Sequence, residues 1–113
     1  MATQCNITDP SAFEASARQL EQEQQLAAQA KALAHPARIR ILKLLLTLDN
    51  LGGCLNSDLV SQLGLAQSTV SEHLRILKQA GFISAEPNPP KMCYRIERQA
   101  LNGHLNLLEA MLS

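Results

Sequence analysis

Apolar positions recur along most of this chain at the three-to-four spacing of an amphipathic helix, and one late stretch breaks that rhythm. Asp9-Pro10 reads as an N-cap followed by proline in a first helical turn. From there a Gln-, Glu- and Ala-rich helix is expected to about Ala34, with Phe13, Ala17, Leu20, Ala27, Ala30 and Leu33 on its apolar side. His35-Pro36 ends it, because the residue before proline is biased away from helix. A second helix is expected from Pro36 to about Thr47, with Ile39, Ile41, Leu42, Leu45 and Leu46 inward and Arg38, Arg40 and Lys43 outward. Asn50-Leu51-Gly52-Gly53 signals a turn. Cys54-Leu55-Asn56 reads as a short extended piece, and Ser57 as the cap of a brief helix from Asp58 to Leu63. The turn Gly64-Leu65-Ala66 precedes a fourth helix, Gln67 to Ala80, closed by Gly81. Val70, Leu74 and Leu77 form its buried stripe. Two strands follow, Phe82 to Glu86 and Met92 to Ile96, joined by a proline-stiffened loop that is not expected to continue a ladder. A last helix covers about Gln99 to Leu112, with Leu101, Leu105, Leu108 and Leu112 on one side. The pattern predicts a mostly α fold with a small β-hairpin wing.

Composition narrows this picture. In 113 residues, 46% are hydrophobic but only 3% aromatic, so one aliphatic core is expected, of the kind packed helices make. The expected organisation is a flexible arm over residues 1–8 and a single domain over 9–113. Apolar end helices on so small a chain favour a homodimer that hides them. No apolar run is long enough to span a bilayer, and the first residues lack the basic-then-apolar order of a signal peptide. The widely spaced three cysteines do not form a secreted disulfide framework, so a cytoplasmic setting is expected. Net charge is zero, yet eight cations stand against five anions between Ala34 and Arg98. A basic centre between acidic flanks fits a DNA face carried between dimerisation elements.

The segment from Ser57 to Gly81 has the anatomy of a helix-turn-helix: a short helix, a three-residue turn containing glycine, and a longer helix with a polar leading face. That face holds Gln67, Ser68, Ser71, Glu72 and Arg75, with Thr69 and His73 on its flank. Such short or forked side chains read base edges in a major groove, and those nearest the helix start can bond phosphate. The competing reading is a merely solvated face, and for His73 a core or local contact. Lys91 in the hairpin loop, flanked by Arg95, is suited to a neighbouring phosphate, or is simply a solvated loop cation. Nothing supports an enzyme: there is no Gly-rich phosphate loop, no His-Glu-x-x-His and no nucleophile–base pairing. A winged-helix protein-interaction adaptor remains the rival class.

Leu33-Ala34-His35-Pro36-Ala37-Arg38-Ile39-Arg40-Ile41-Leu42, with Ala66-Gln67-Ser68-Thr69-Val70-Ser71-Glu72-His73-Leu74-Arg75-Ile76-Leu77, resembles the ArsR/SmtB family of metal- and metalloid-responsive repressors. Met92-Cys93-Tyr94-Arg95-Ile96 is similar to the family's wing, so the likeness covers roughly Ala30 to Ile96. It implies a winged helix-turn-helix dimerised through its first and last helices, a double-stranded operator with two-fold symmetry, and release by an effector. The base-reading positions it implies are Gln67, Ser68, Thr69, Ser71 and His73, with Arg75 nearer the backbone. One family site uses a Cys-Val-Cys-Asp-Leu-Cys pattern, but its cysteine places fall here on Leu55, Ser57 and Val60. Another uses the last helix, where the matching residues are Arg98 and Ala100, with only His104 and Glu109 beyond; His104 is expected to be an exposed helix residue.

DNA binding needs no cofactor in this reading, and the effector question falls to Cys54, Cys93 and Cys5. Cys54 precedes the third helix in the extended piece that a winged helix adds to its hairpin, and Cys93 lies in the second hairpin strand. The two are candidate cross-strand neighbours, although a one-residue slip turns one of them away. Cys5, on the arm, is a third candidate. Three soft thiolates suit As(III) or Sb(III) and suit hard ions badly. Redox sensing through a Cys54–Cys93 disulfide, or small buried hydrophobes with no effector, are the alternatives.

Overall fold

A computed structural model describes residues 9–56 and 60–113 of the chain. Four α-helices accompany a three-stranded antiparallel sheet, against which α2 and α3 pack: α1 (Ala17–Leu33), α2 (Pro36–Asn50), β1 (Leu55–Asn56), α3 (Gln67–Gln79), β2 (Ile83–Asn88), β3 (Lys91–Ile96) and α4 (Arg98–Leu112). Short 3-10 turns at Pro10–Phe13 and Val60–Leu63 complete the order.

The expected first helix is divided. Asp9 caps only the 3-10 turn, Glu14 is extended, and α1 starts anew at a capping box in which Ser16 and Gln19 satisfy each other's backbone N–H groups. That Ser-x-x-Gln signal outcompetes continuity of the helix. His35 is extended before Pro36, and its Nδ1 accepts from the Ala37 N–H at 3.0 Å, which makes it the N-cap of α2. α2 runs three residues beyond Thr47, because no breaker intervenes before Gly52, whose φ of +78° closes the turn. The brief helix expected from Asp58 is a 3-10 turn from Val60; its expected cap Ser57 lies outside the described residues.

The hairpin is longer toward its tip than expected. Pro87 pairs with Met92 and Asn88 with Lys91, so the ladder does continue past the proline. The sheet order β1-β3-β2 makes β2 an edge strand, where a proline can sit with no ladder bond lost. Pro89-Pro90, joined by a cis peptide, forms the tip. The core is aliphatic with one ring: Ile41, Leu45, Leu55, Val70, Leu77 and Phe82 are fully buried, and Leu42, Leu74, Ile83 and Ile96 pack around them. Ile39, expected inward, is exposed on α2. The molecule measures 62 × 25 × 24 Å, and Phe13 of the first 3-10 turn, Leu20 of α1 and Leu105, Met111 and Leu112 of α4 remain on the surface. Among the described residues no helix is long and apolar enough to cross a membrane.

Candidate nucleic-acid interface and thiol pair

α3 is held by one edge and free along the other. Val70, Leu74 and Leu77, spaced at i, i+4 and i+7, are buried, while Gln67, Ser68, Thr69, Ser71, Glu72 and Arg75 are exposed. Ala66, the N-cap, has no side-chain hydrogen bond, so the first-turn N–H groups face outward beside Gln67 and Ser68. These are donors and acceptors on a protruding rod, the form that enters a major groove. Arg75 is engaged within the helix: its Nε donates to Glu72 Oε2 at 2.9 Å, and its Nη1 to Gln79 Oε1 at 3.0 Å. The Arg75 guanidinium holds the Glu72 carboxyl below its usual range, and the carboxylate holds Arg75 above its own. A phosphate contact by Arg75 therefore requires exchange of Glu72 for the phosphate oxygen.

His73 is not on that edge. It is 7% exposed, its ring centroid lies 4.4 Å from that of His35, and Arg38 Nη1 approaches its Nδ1 at 3.1 Å. Guanidinium only donates, so Nδ1 accepts and the neutral ring carries its proton on Nε2. Burial, then the nearby His35 and Arg38, pushes the imidazole pKa down. Position 73 stands three residues from Val70 and four from Leu77, on the inner side of the helix, so it cannot read bases without leaving the core. Arg38 was expected to point outward; instead its Nε donates to the Ala32 carbonyl at 2.6 Å, and with the Nη1 contact to His73 it ties the end of α1 through α2 to α3. Position 38 stands three residues before Ile41 and four before Leu42, on the buried stripe of α2, so the helical spacing already set it inward and only its charge suggested otherwise.

His104, expected to be exposed, is also buried, at 8% exposure. Its Nδ1 is 2.7 Å from Gln29 Oε1 of α1, and its ring meets Phe82 edge-on. Arg98 at the start of α4 pairs with Asp49 at 2.7 Å and donates to Asn50 Oδ1 at 2.8 Å, fastening α4 to the end of α2. Arg98, set against a metal-ligand position by resemblance in the sequence, is a structural clamp.

Cys54 and Cys93 are brought together. They are joined as a disulfide with a Cα separation of 5.7 Å, within the range such bonds require. Leu55 faces Tyr94 and Asn56 faces Cys93, so Cys54 stands two places off direct pairing with Cys93. An even offset keeps both on one face of the sheet, whereas an odd one separates them. Cys5 lies outside the described residues. Among the described residues no cluster of three or more His, Cys, Asp or Glu side chains has metal-site geometry. Lys91 occupies the first position of β3, half-buried and paired in the ladder with Asn88 at the hairpin tip.

A short first helix-turn-helix element, a glycine turn, a protruding second helix and a hairpin against their base define a winged helix-turn-helix domain. The comparisons agree. The sequence model described as the bacterial regulatory protein arsR family matches residues 35–85. The HTH-type transcriptional regulator YgaV of Escherichia coli is 30% identical over 86 residues, covering 76% of this chain and 84% of YgaV. The HTH-type transcriptional regulator Rv0081 of Mycobacterium tuberculosis is 45% identical over 67 residues, covering 58% of this chain; that match spans only 55% of Rv0081. In structure, the homodimeric winged helix-turn-helix DNA-binding domain Mb0332 of Mycobacterium bovis superposes with a TM-score of 0.66 at 25% identity, over 87% of this chain and 88% of that one. The chain belongs to the ArsR family of bacterial transcriptional regulators.

Proposed function

We propose that this protein is a homodimeric repressor that binds a two-fold symmetric operator through α3 and is released by chemistry at its thiols. The observation that carries the reading is the division of α3, with Gln67, Ser68, Thr69 and Ser71 exposed along one edge while Val70, Leu74 and Leu77 are buried along the other. Base readout falls to those four polar residues, and Arg75 and Lys91 supply backbone contacts. The dimer is supported by the exposed Phe13, Leu20, Leu105, Met111 and Leu112 on the 3-10 turn and helices that leave the core, and by the homodimeric state of the Mycobacterium bovis domain. Two recognition helices about 34 Å apart then meet successive major grooves, and a small change in the angle between domains spoils the fit.

For the effector, the residue types favour As(III) or Sb(III) held by Cys54, Cys93 and Cys5 in the reduced protein. The disulfide favours a second reading, in which oxidation of Cys54 and Cys93 to the bridge is the signal. Titration of duplex DNA at several salt concentrations tests the main reading. Affinity is expected to fall steeply and linearly with log salt concentration, and protein that binds no duplex under any salt condition is an adaptor instead. Added arsenite, with and without reductant, separates the effector readings: metalloid release needs open thiols, whereas release by oxidation is reversed by reductant alone.

A further inference from the structure

The outward face of the sheet carries a group of side chains that DNA reading does not use. Along β3, Tyr94 and Ile96 turn to the core, so Cys93 and Arg95 share the opposite face. Cys93 is flanked across the ladders by Asn56 and Glu86, and Arg95 by Ser84. Cys54 directly precedes β1, at the place the ladder would set opposite Arg95 if it continued. The guanidinium reaches to both sides of β3: Nη1 approaches the carbonyl of Gly53, ahead of β1, at 3.5 Å, and Nε lies 3.8 Å from Glu86 Oε2 of β2. A cation therefore sits beside the segment that bears one sulfur and on the strand face that bears the other.

The two sulfurs are not equivalent. Cys93 is 5% exposed, while Cys54 is half-buried on a segment opened by Gly52 and Gly53. A thiol reacts as its thiolate, and a nearby guanidinium favours that form. We propose that Cys54, Cys93 and Arg95 form a peroxide-reactive site at the root of the wing, in which Cys54 is oxidised first, Cys93 closes the bridge and Arg95 is the positioning residue. The chemistry stands on these residues; its regulatory consequence rests on the thiol-release reading above.

In the first step the Cys54 thiolate attacks one oxygen of the peroxide. An S–O bond forms, the O–O bond breaks, and the departing alkoxide or hydroxide takes up a proton as alcohol or water. Sulfur loses two electrons and the peroxide gains them. In the second step the Cys93 thiolate attacks the sulfenic sulfur of Cys54; the S–S bond forms, the S–O bond breaks, and hydroxide leaves with the proton given up by Cys93 as a second water. Closure joins the two-residue strand β1, which leads in sequence to the helix-turn-helix, covalently to the wing strand β3. Wing and recognition helix then no longer adjust separately to backbone and groove, and the bridged form is the weaker DNA binder.

The test treats the reduced full chain with hydrogen peroxide in the presence of dimedone and locates adducts by peptide mass spectrometry. Cys93→Ser is expected to accumulate the adduct on Cys54, and Cys54→Ser to acquire it on Cys93 at least tenfold more slowly. Arg95→Gln is expected to slow Cys54 oxidation about tenfold at pH 7 and to raise the pH midpoint of its rate by about one unit, with Arg95→Lys restoring most of both. In the unsubstituted reduced protein, iodoacetamide is expected to alkylate Cys54 before Cys93, a measurement that needs no variant to fold. Faster modification of Cys93, or an Arg95→Gln protein with unchanged rate and pH midpoint, overturns the assignment. Operator affinity is measured on the same bridged and reduced samples, with a loss of about 5–150-fold expected on bridging. Peroxide that closes the bridge through Cys54 but leaves affinity unchanged overturns the release reading and leaves the site chemistry standing.

Discussion

The recognition helix and the root of the wing lie in one small domain and are held in different ways. α3 is fixed by packing: three apolar residues at helical spacing enter a core that also contains Ile41, Leu45 and Phe82. The wing root enters that core through Leu55, Ile83 and Ile96 on its inner face, and its outer face is held in addition by a covalent bond and by Arg95, which reaches Gly53 and Glu86. A packed helix has no simple chemical off-state, since removing it means unfolding the protein. A bond between sulfurs on the outer face can be broken and restored by electron transfer while Leu55 of β1 stays packed in the core. In the function proposed above, base reading falls to the packed element and control to the reversible one.

The largest effect expected from breaking the contrast is on stability. The bridge closes a loop spanning a sequence separation of 39 residues, and opening such a loop is worth about 4 kcal/mol through the entropy of the unfolded chain. Urea unfolding with and without a dithiol reductant is expected to reveal that loss, together with a retained helical circular dichroism signal before the transition. Loss of helix on reduction alone would mean that the bond holds the core and not only the wing.

A smaller and opposite pattern is expected on the exposed edge of α3. Gln67→Ala and Ser68→Ala are each expected to weaken operator binding by about 1–3 kcal/mol, with the unfolding midpoint nearly unchanged because both side chains are exposed. Binding curves on operator and scrambled duplexes check this; an equal loss on both would move these residues from base reading to backbone contact.

The smallest effect concerns the back of α3. His73 has a folded-state pKa below its ordinary value of 6.5, set first by burial, then by His35 and Arg38, with Glu72 acting in the opposite direction. The folded state thus resists a proton that the unfolded chain accepts. The stabilising contribution is complete above about pH 6.5 and falls as pH drops toward the lower folded-state value. Thermal unfolding between pH 7.5 and 5 is expected to show this slope in the parent and a shallower one in His73→Gln. Equal slopes in both would assign the acid sensitivity to another group.

Much of the architecture was legible in the residue order. The stripe Val70, Leu74, Leu77, the exposed row beginning at Gln67, the break at His35-Pro36 and the hairpin all follow from local periodicity and from proline and glycine geometry, which need no knowledge of distant parts of the chain. The start of α1 was legible too, in Ser16 and Gln19, but the stronger-looking Asp9-Pro10 signal concealed it. Polar residues were misread by their type and not by their spacing. Arg38 stands on the buried stripe with Ile41 and Leu42 and reaches His73, and His104 stands three residues from Leu101 and four from Leu108 and meets Gln29 and Phe82.

The sequence alone therefore determined which elements form, which edge of α3 is apolar and which residues are available as thiols, because hydrophobic spacing and backbone preference act within a few neighbours. Only the tertiary structure decided that Cys54 meets Cys93, that Arg95 lies beside them, and that Arg38 links Ala32 to His73. Those outcomes depend on strand register and on the packing of α1 and α2 against α3, and a shift of one residue in the β1–β3 ladder would have parted the two sulfurs while leaving every local signal in the sequence unchanged.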